Sequence, residues 1–292
     1  MNATMKRLSR RRMLQGSGTV LMGLGLMGTT GFSQAQNLRE NKQENQKENV
    51  MSENQIATKP TVVLVHGAFA DSSGWNDIVS TLLAQGYPVV AASNPLRSLK
   101  YDANYIATTL NSIKGPIVLV GHSYGGMVIN GAAAGNSRVK ALVFIAADAP
   151  EAGESAADLA GKFPGSTLGP TLAPPVPLGD GTNDLYILQD KYRSQFCADL
   201  PEPEAARMAA SQRPATDLAL NEKASGSAWK TIPSWFVWGE LDKNIPAASH
   251  RFMAQRAKAR EALEIKGGSH VIFISYADTV GNLILRAAQS VK

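Results

Sequence analysis

Ser123 lies in the run Gly121-His122-Ser123-Tyr124-Gly125, which follows the apolar stretch Ile117–Val120 and leads into a helix-like segment. A serine hydroxyl is a weak nucleophile until a sharp strand-to-helix turn exposes it beside a general base. Gly121 and Gly125 suit such a turn, because side chains there would collide across it. A glycine-flanked serine alone arises often by chance. Here three further segments supply what the chemistry needs. His66-Gly67-Ala68-Phe69 ends the apolar run Val62–Val65, where the Ala68 N–H can join the Tyr124 N–H in an oxyanion hole. Gly239-Glu240-Leu241-Asp242 follows the run Ser234–Trp238 and offers a carboxylate to orient an imidazole. Glu240 competes with Asp242 for that task, as does Asp148 after the run Ala141–Ile145. Gly267-Gly268-Ser269-His270 follows Leu263–Ile265 and presents His270 as the base.

The other histidines have simpler readings. His66 is expected to be a structural strut, His122 to pack beside the turn, and His250, in the helix after Asp242, to face solvent. No His, Asp or Glu cluster has metal-ligand spacing, so neither a metal nor another cofactor is expected. Cys197 is the sole cysteine, which excludes an intrachain disulfide; with no motif around it, it reads as a buried structural thiol.

The segments that must position these residues alternate between strand and helix. Helices are expected at Asp77–Gln85, Tyr101–Ile113, Tyr124–Ala134, Ala247–Ala257 and Ala277–Ala288, and strands at Val62–Val65, Tyr87–Ala92, Ile117–Val120, Ala141–Ile145, Ser234–Trp238 and Leu263–Ile265. Such alternation predicts an α/β domain over 59–292, with a mostly parallel central sheet of about six strands and helices on both faces. The stretch from Asp148 to Thr231 interrupts the pattern with a Pro/Gly-rich run, Phe163–Gly181, and helix-like segments at Asp184–Phe196 and Pro203–Ala210. It emerges at the carboxyl ends of the strands, where binding sites lie in open α/β sheets, and is expected to form a short lid over about 149–231.

From about Pro60 to Val291 the quoted motifs resemble the α/β-hydrolase fold superfamily, in particular its small-lidded esterase branch of plant methyl esterases, hydroxynitrile lyases and their bacterial relatives. The order Ser123, Asp242, His270 matches that fold, and the resemblance favours Asp242 as the triad acid. It implies a serine esterase acting through an acyl-enzyme, and a near-neutral body with a lid containing Leu, Pro, Phe and Tyr suggests a small or medium uncharged ester with an apolar part. Lyases of this branch carry a lysine directly after the catalytic histidine, whereas Val271 follows His270 here, and Gly67 matches the esterase form. A cofactor-free perhydrolase or haloperoxidase-like enzyme would use the same triad. A non-catalytic ligand-binding member of the fold is the reading from another class.

Composition adds a destination. The formal charge of +5 comes from 29 basic and 24 acidic residues, and five of the basic ones, Lys6, Arg7, Arg10, Arg11 and Arg12, lie within residues 1–35, which hold no acid. The remaining 24 basic residues balance the acids, giving no electrostatic argument for a nucleic-acid partner. Ser9-Arg10-Arg11-Arg12-Met13-Leu14 resembles a twin-arginine export signal, followed by a weakly apolar Gly16–Phe32 stretch and the small residues of Ser33-Gln34-Ala35. Residues 1–35 are therefore expected to be a signal peptide read by the twin-arginine machinery and cleaved after Ala35. Residues 36–58 form a polar tract expected to be a disordered linker. The product would be periplasmic or secreted, with no stable membrane anchor. Replacing Arg10 and Arg11 with lysine is expected to hold the precursor in the cytoplasm, which cell fractionation checks; unchanged export would exclude this route.

Overall fold

Val62, Val63, Leu64 and Val65 are all fully buried, as an unbroken apolar run must be when helices cover both faces of its sheet. The structure is a computed structural model that describes residues 59–291; the expected signal peptide and linker lie outside the described residues. The chain runs through β1 (Thr61–Val65), α1 (Asn76–Ala84), β2 (Val89–Ala92), α2 (Leu99–Ser112), β3 (Ile117–His122), α3 (Gly125–Ala132) and β4 (Val139–Ile145). An insertion follows, holding α4 (Ala156–Gly161), β5 (Val176–Pro177), β6 (Asn183–Leu185), α5 (Gln189–Phe196), α6 (Glu202–Ser211), β7 (Ala215–Thr216) and α7 (Asp217–Asn221). The core resumes with β8 (Ser234–Gly239), α8 (Ala247–Arg256), β9 (Glu261–Ile265), α9 (Ile272–Ser275) and α10 (Ala277–Gln289).

The central sheet has six strands in the order β2-β1-β3-β4-β8-β9, and every pairing is parallel. This is the expected α/β architecture. The chain reverses direction across the sheet between β1 and β3, the switch point outside which α/β sheets leave a crevice. Register fixes what meets there: Val65 pairs with Gly121, which brings His66-Gly67 alongside His122-Ser123. At the other end of the sheet Gly239 pairs with Ile265, bringing the Asp242 loop beside the His270 loop.

The insertion departs from expectation. Asp184–Phe196 was expected to be helical, but Asn183–Leu185 pairs with Val176–Pro177 and Ala215–Thr216 in a small antiparallel sheet, and the helix starts only at Gln189. Three-residue strands carry too little periodicity to be told from a helix end. The expected segment Pro203–Ala210 is helical within α6.

Close backbone packing holds the strand ends together. A Cβ on Gly126 would sit 2.1 Å from the Asp148 carbonyl oxygen, joining the start of α3 to the end of β4 with no room for a methyl group. Gly161, by contrast, has nothing within 4 Å of such a Cβ. Gly126→Ala is expected to destabilise the domain by about 2 to 4 kcal/mol, while Gly161→Ala leaves it within about 1 kcal/mol of the unchanged chain. Urea unfolding of the two variants checks this, and equal midpoints would refute the packing argument.

Candidate active site

Ser123 follows β3 directly and has φ of 54°, a left-handed conformation costly for a side chain with a Cβ. Its carbonyl accepts from the N–H groups of Gly126 at 2.9 Å and Asp148 at 3.2 Å, and its own N–H donates to Ile145 at 3.3 Å, which holds the turn in place. Cβ atoms are excluded around it. One on Gly67 would lie 2.6 Å from Ser123 Cβ, one on Gly121 would lie 2.7 Å from the Gly125 carbonyl oxygen, and one on Gly125 would lie 2.5 Å from the Val65 carbonyl oxygen. The flanking glycines thus let β1 and the start of α3 close on the serine.

Tyr124 is buried, and its hydroxyl donates to Asp102 Oδ2 at 2.8 Å, anchoring the residue that begins the helix. The Ala68 and Tyr124 N–H groups donate no hydrogen bond within the described residues. His66 behaves as a strut. Its Nε2 accepts from the Asn94 N–H at 3.0 Å, which leaves Nδ1 to donate to the Gly67 carbonyl at 2.9 Å. Burial pulls its pKa down to about 4, so the ring is neutral.

His270 Nδ1 and Asp242 Oδ2 are 2.7 Å apart, both residues buried. The other candidate carboxylates do not make that bond. Glu240 instead accepts from the Gly267 N–H at 2.9 Å, and Asp148 sits at the end of β4. With Nδ1 donating to Asp242, His270 Nε2 is left as the acceptor; it is buried and has no hydrogen-bond partner among the described residues. Ser123 and His270 line one cavity of about 120 Å³ with Ala68, Tyr124 and Asp148, walled by Ala156, Ala160, Leu168, Phe196 and Leu220 of the insertion and by Ile245.

Asp242 accepts four hydrogen bonds. Oδ1 takes the N–H groups of Asn244 at 2.8 Å and Ile245 at 3.0 Å, and Oδ2 takes His270 and also His250 Nε2 at 3.2 Å. Burial alone would raise its pKa, but the nearby His270 and the two imidazole hydrogen bonds outweigh it and hold the carboxyl well below the usual range. Asp242 is therefore ionised. The expectation that His250 faces solvent is wrong: it is 1% exposed, stacked on Trp238 at 5.8 Å, and bonded to the carboxylate. Burial lowers its pKa against the pull of Asp242, so it serves as a neutral donor. Its spacing from Met253 and Ala254, also buried, was the available signal.

His122 is wedged among Trp75, Phe196, Phe273 and His270, and its Nε2 donates to the His270 carbonyl at 3.1 Å. Burial and the adjacent His270 hold it neutral. Asp199, not singled out from the sequence, accepts the Ser269 N–H at 2.9 Å, the Ser275 hydroxyl at 2.7 Å and the Ser269 hydroxyl. It ties the insertion to the histidine loop. Cys197 is buried, its thiol pushed up to about 12 by burial, which makes it unreactive. Among the described residues no group of three His, Cys, Asp or Glu is placed to hold a metal ion.

A buried, glycine-packed serine turn at the switch point of a parallel sheet, with an aspartate-bonded histidine from the next loops, defines an α/β hydrolase. Residues 62–282 match the alpha/beta hydrolase family, and the chain belongs to it. It is similar to an alpha-hydroxynitrile lyase of Arabidopsis thaliana, 26% identical over 73% of this chain and 91% of the relative. It is likewise similar to a pimeloyl-[acyl-carrier protein] methyl ester esterase of Xanthomonas oryzae pv. oryzae, 26% identical over 81% of this chain and 98% of the relative. Among solved structures, polyneuridine aldehyde esterase superposes with a TM-score of 0.67 at 19% identity, covering 78% of this chain and 98% of that one. Esterase-type relatives support ester hydrolysis at the level of the family.

Asp148 is 2% exposed and lines the cavity, with Oδ1 unpartnered among the described residues. Burial, then the charges of Asp242 and Glu154, raise its pKa well above the ordinary value, so it is a neutral carboxylic acid. Its unfolded form ionises near pH 4. The raised folded value means that its contribution to stability is full below that pH and is lost as pH rises through the folded value. Asp148→Asn, uncharged in both states, should therefore gain stability over the unchanged chain between about pH 4 and 7, at no more than ~1.4 kcal/mol per pH unit. Urea melts at both pH values check this; an unchanging difference would mean that Asp148 is ionised.

Proposed function

We propose that this chain is a serine esterase in which Ser123, His270 and Asp242 act as nucleophile, base and orienting acid. The observation that carries the reading is the 2.7 Å Asp242–His270 bond, with His270 Nε2 unpartnered among the described residues and His270 lining the same cavity as Ser123. Ser123 Oγ attacks the ester carbonyl carbon as His270 Nε2 takes its proton, and the oxyanion accepts from the N–H groups of Ala68 and Tyr124. The carbon–alkoxy bond then breaks, and His270 returns the proton to the departing alcohol. Water, deprotonated by His270, attacks the acyl-enzyme; the acid leaves and Ser123 regains its proton. The insertion serves as the lid that keeps bulk water from the acyl-enzyme.

Small, apolar walls and a volume of about 120 Å³ favour a small or medium uncharged ester. Val271, fully buried after His270, and the lack of a lysine or arginine lining the cavity among the described residues favour hydrolysis over the lyase reaction.

A fluorophosphonate probe is expected to label the protein at Ser123, found by peptide mass, and Ser123→Ala should abolish labelling. On a panel of short-chain methyl esters, His270→Ala is expected to lower kcat by several powers of ten. His250→Ala, which removes one of two imidazole donors to Asp242, should lower it by roughly tenfold. A folded protein that the probe leaves unlabelled would sink the reading.

A further inference from the structure

Asp148 shares the cavity lining with a second buried polar residue. Asn244 is 4% exposed and lines the same space, and its Nδ2 has no partner among the described residues. Its orientation follows from the bonds behind it. Gln195 Nε2 lies 3.0 Å from the Lys243 carbonyl, which can only accept, so that nitrogen must be the donor end of the amide. The same nitrogen lies 3.0 Å from Asn244 Oδ1, while Gln195 Oε1 accepts from the Thr167 hydroxyl at 2.8 Å. Asn244 therefore has its oxygen committed to Gln195 and its two N–H bonds free. A flipped amide would set donor against donor.

Asp148 Oδ1 and Asn244 Nδ2, both buried and without a partner among the described residues, are costly to leave without a ligand. Natural cavities place such groups to read a ligand's polar atoms. We propose that Asp148 and Asn244 form a polar subsite that selects esters bearing an uncharged oxygen substituent, a hydroxyl or keto group, on the part that enters the cavity. A hydroxyl accepts from Asn244 Nδ2 and donates to Asp148 Oδ1; a keto oxygen accepts from Asn244 and from the carboxylic acid O–H. A carboxylate substituent fits poorly, because among the described residues no lysine or arginine lines the cavity and the buried Asp242 nearby is ionised. Removal of such an oxygen from the ligand would leave both groups desolvated and unpaired, which makes the discrimination steep.

This selectivity rests on the esterase reading, and two kinds of measurement separate the two. In turnover, kcat/KM for methyl 3-hydroxybutanoate is expected to exceed that for methyl butanoate by at least about tenfold, and Asp148→Leu or Asn244→Ala should each shrink that ratio by about tenfold. Asp148→Asn, which keeps a donor and an acceptor, should retain most of it. In equilibrium binding, calorimetry with 3-hydroxybutanamide and butanamide reads the subsite without any acyl transfer, and the hydroxylated amide should bind at least about tenfold more tightly to the unchanged chain but not to either apolar variant. Failure of the probe to label Ser123 alongside an intact amide preference would overturn the esterase reading and keep the subsite. Equal binding of the two amides, or a preference that survives both apolar variants, would overturn the subsite.

Discussion

A negative charge buried beneath the cavity sets the terms for the rest of the site. Isolated in the protein interior, the Asp242 carboxylate would cost several kcal/mol and would take up a proton instead. It stays ionised because four donors converge on it, from the turn at Asn244 and Ile245, from α8 through His250, and from the loop after β9 through His270. The four donors come from three separate stretches of chain. The charge is tolerable only when the turn, the helix and the loop are all in place, so the arrangement that orients His270 is also one that the fold must complete to avoid a penalty.

That convergence depends on backbones approaching more closely than side chains permit. A Cβ on Gly239 would stand 2.2 Å from the Ser269 carbonyl oxygen, and this contact lets the loops after β8 and β9 lie against each other. Gly67 plays the equivalent part between β1 and Ser123. The insertion then fastens both halves. Tyr192 donates to the Phe69 carbonyl at 2.7 Å, the Thr167 N–H to the Lys243 carbonyl at 2.9 Å, and Asp199 holds the histidine loop. It is thus bonded to the loop that carries Ala68, to the acid loop and to the base loop at once.

What could be read from the sequence follows from how local each signal is. The serine turn, the Asp242 and His270 loops and the six core strands are short runs whose own residues carry the pattern: an apolar strand, then glycine, then a chemical group. Asp199 carries no such mark, because it lies 70 residues from Ser269 and only the folded insertion joins them. His250 was within reach, but a polar residue on a weakly amphipathic helix reads as solvated until the carboxylate it faces is known. Asp148 drew notice as a rival triad acid. Its position at the cavity was legible from the strand end, but its protonation was not, since that depends on what fails to donate to it.

Two buried carboxyls beside one cavity end in opposite states, and the donor count explains the difference. Asp242 has four donors and stays charged; Asp148, with Oδ1 unpartnered among the described residues, stays neutral. The asymmetry matters for acyl transfer as proposed here. Attack by Ser123 creates an oxyanion and an imidazolium together, so the total charge of the buried group is unchanged while a proton moves within it. The imidazolium forms against Asp242, which favours it. The oxyanion forms in the cavity that Asp148 lines, and there a second ionised carboxylate would repel it at low dielectric. Burial that keeps the proton on Asp148 therefore removes an obstacle to the transition state, while leaving a hydrogen-bonding group available to the bound ester.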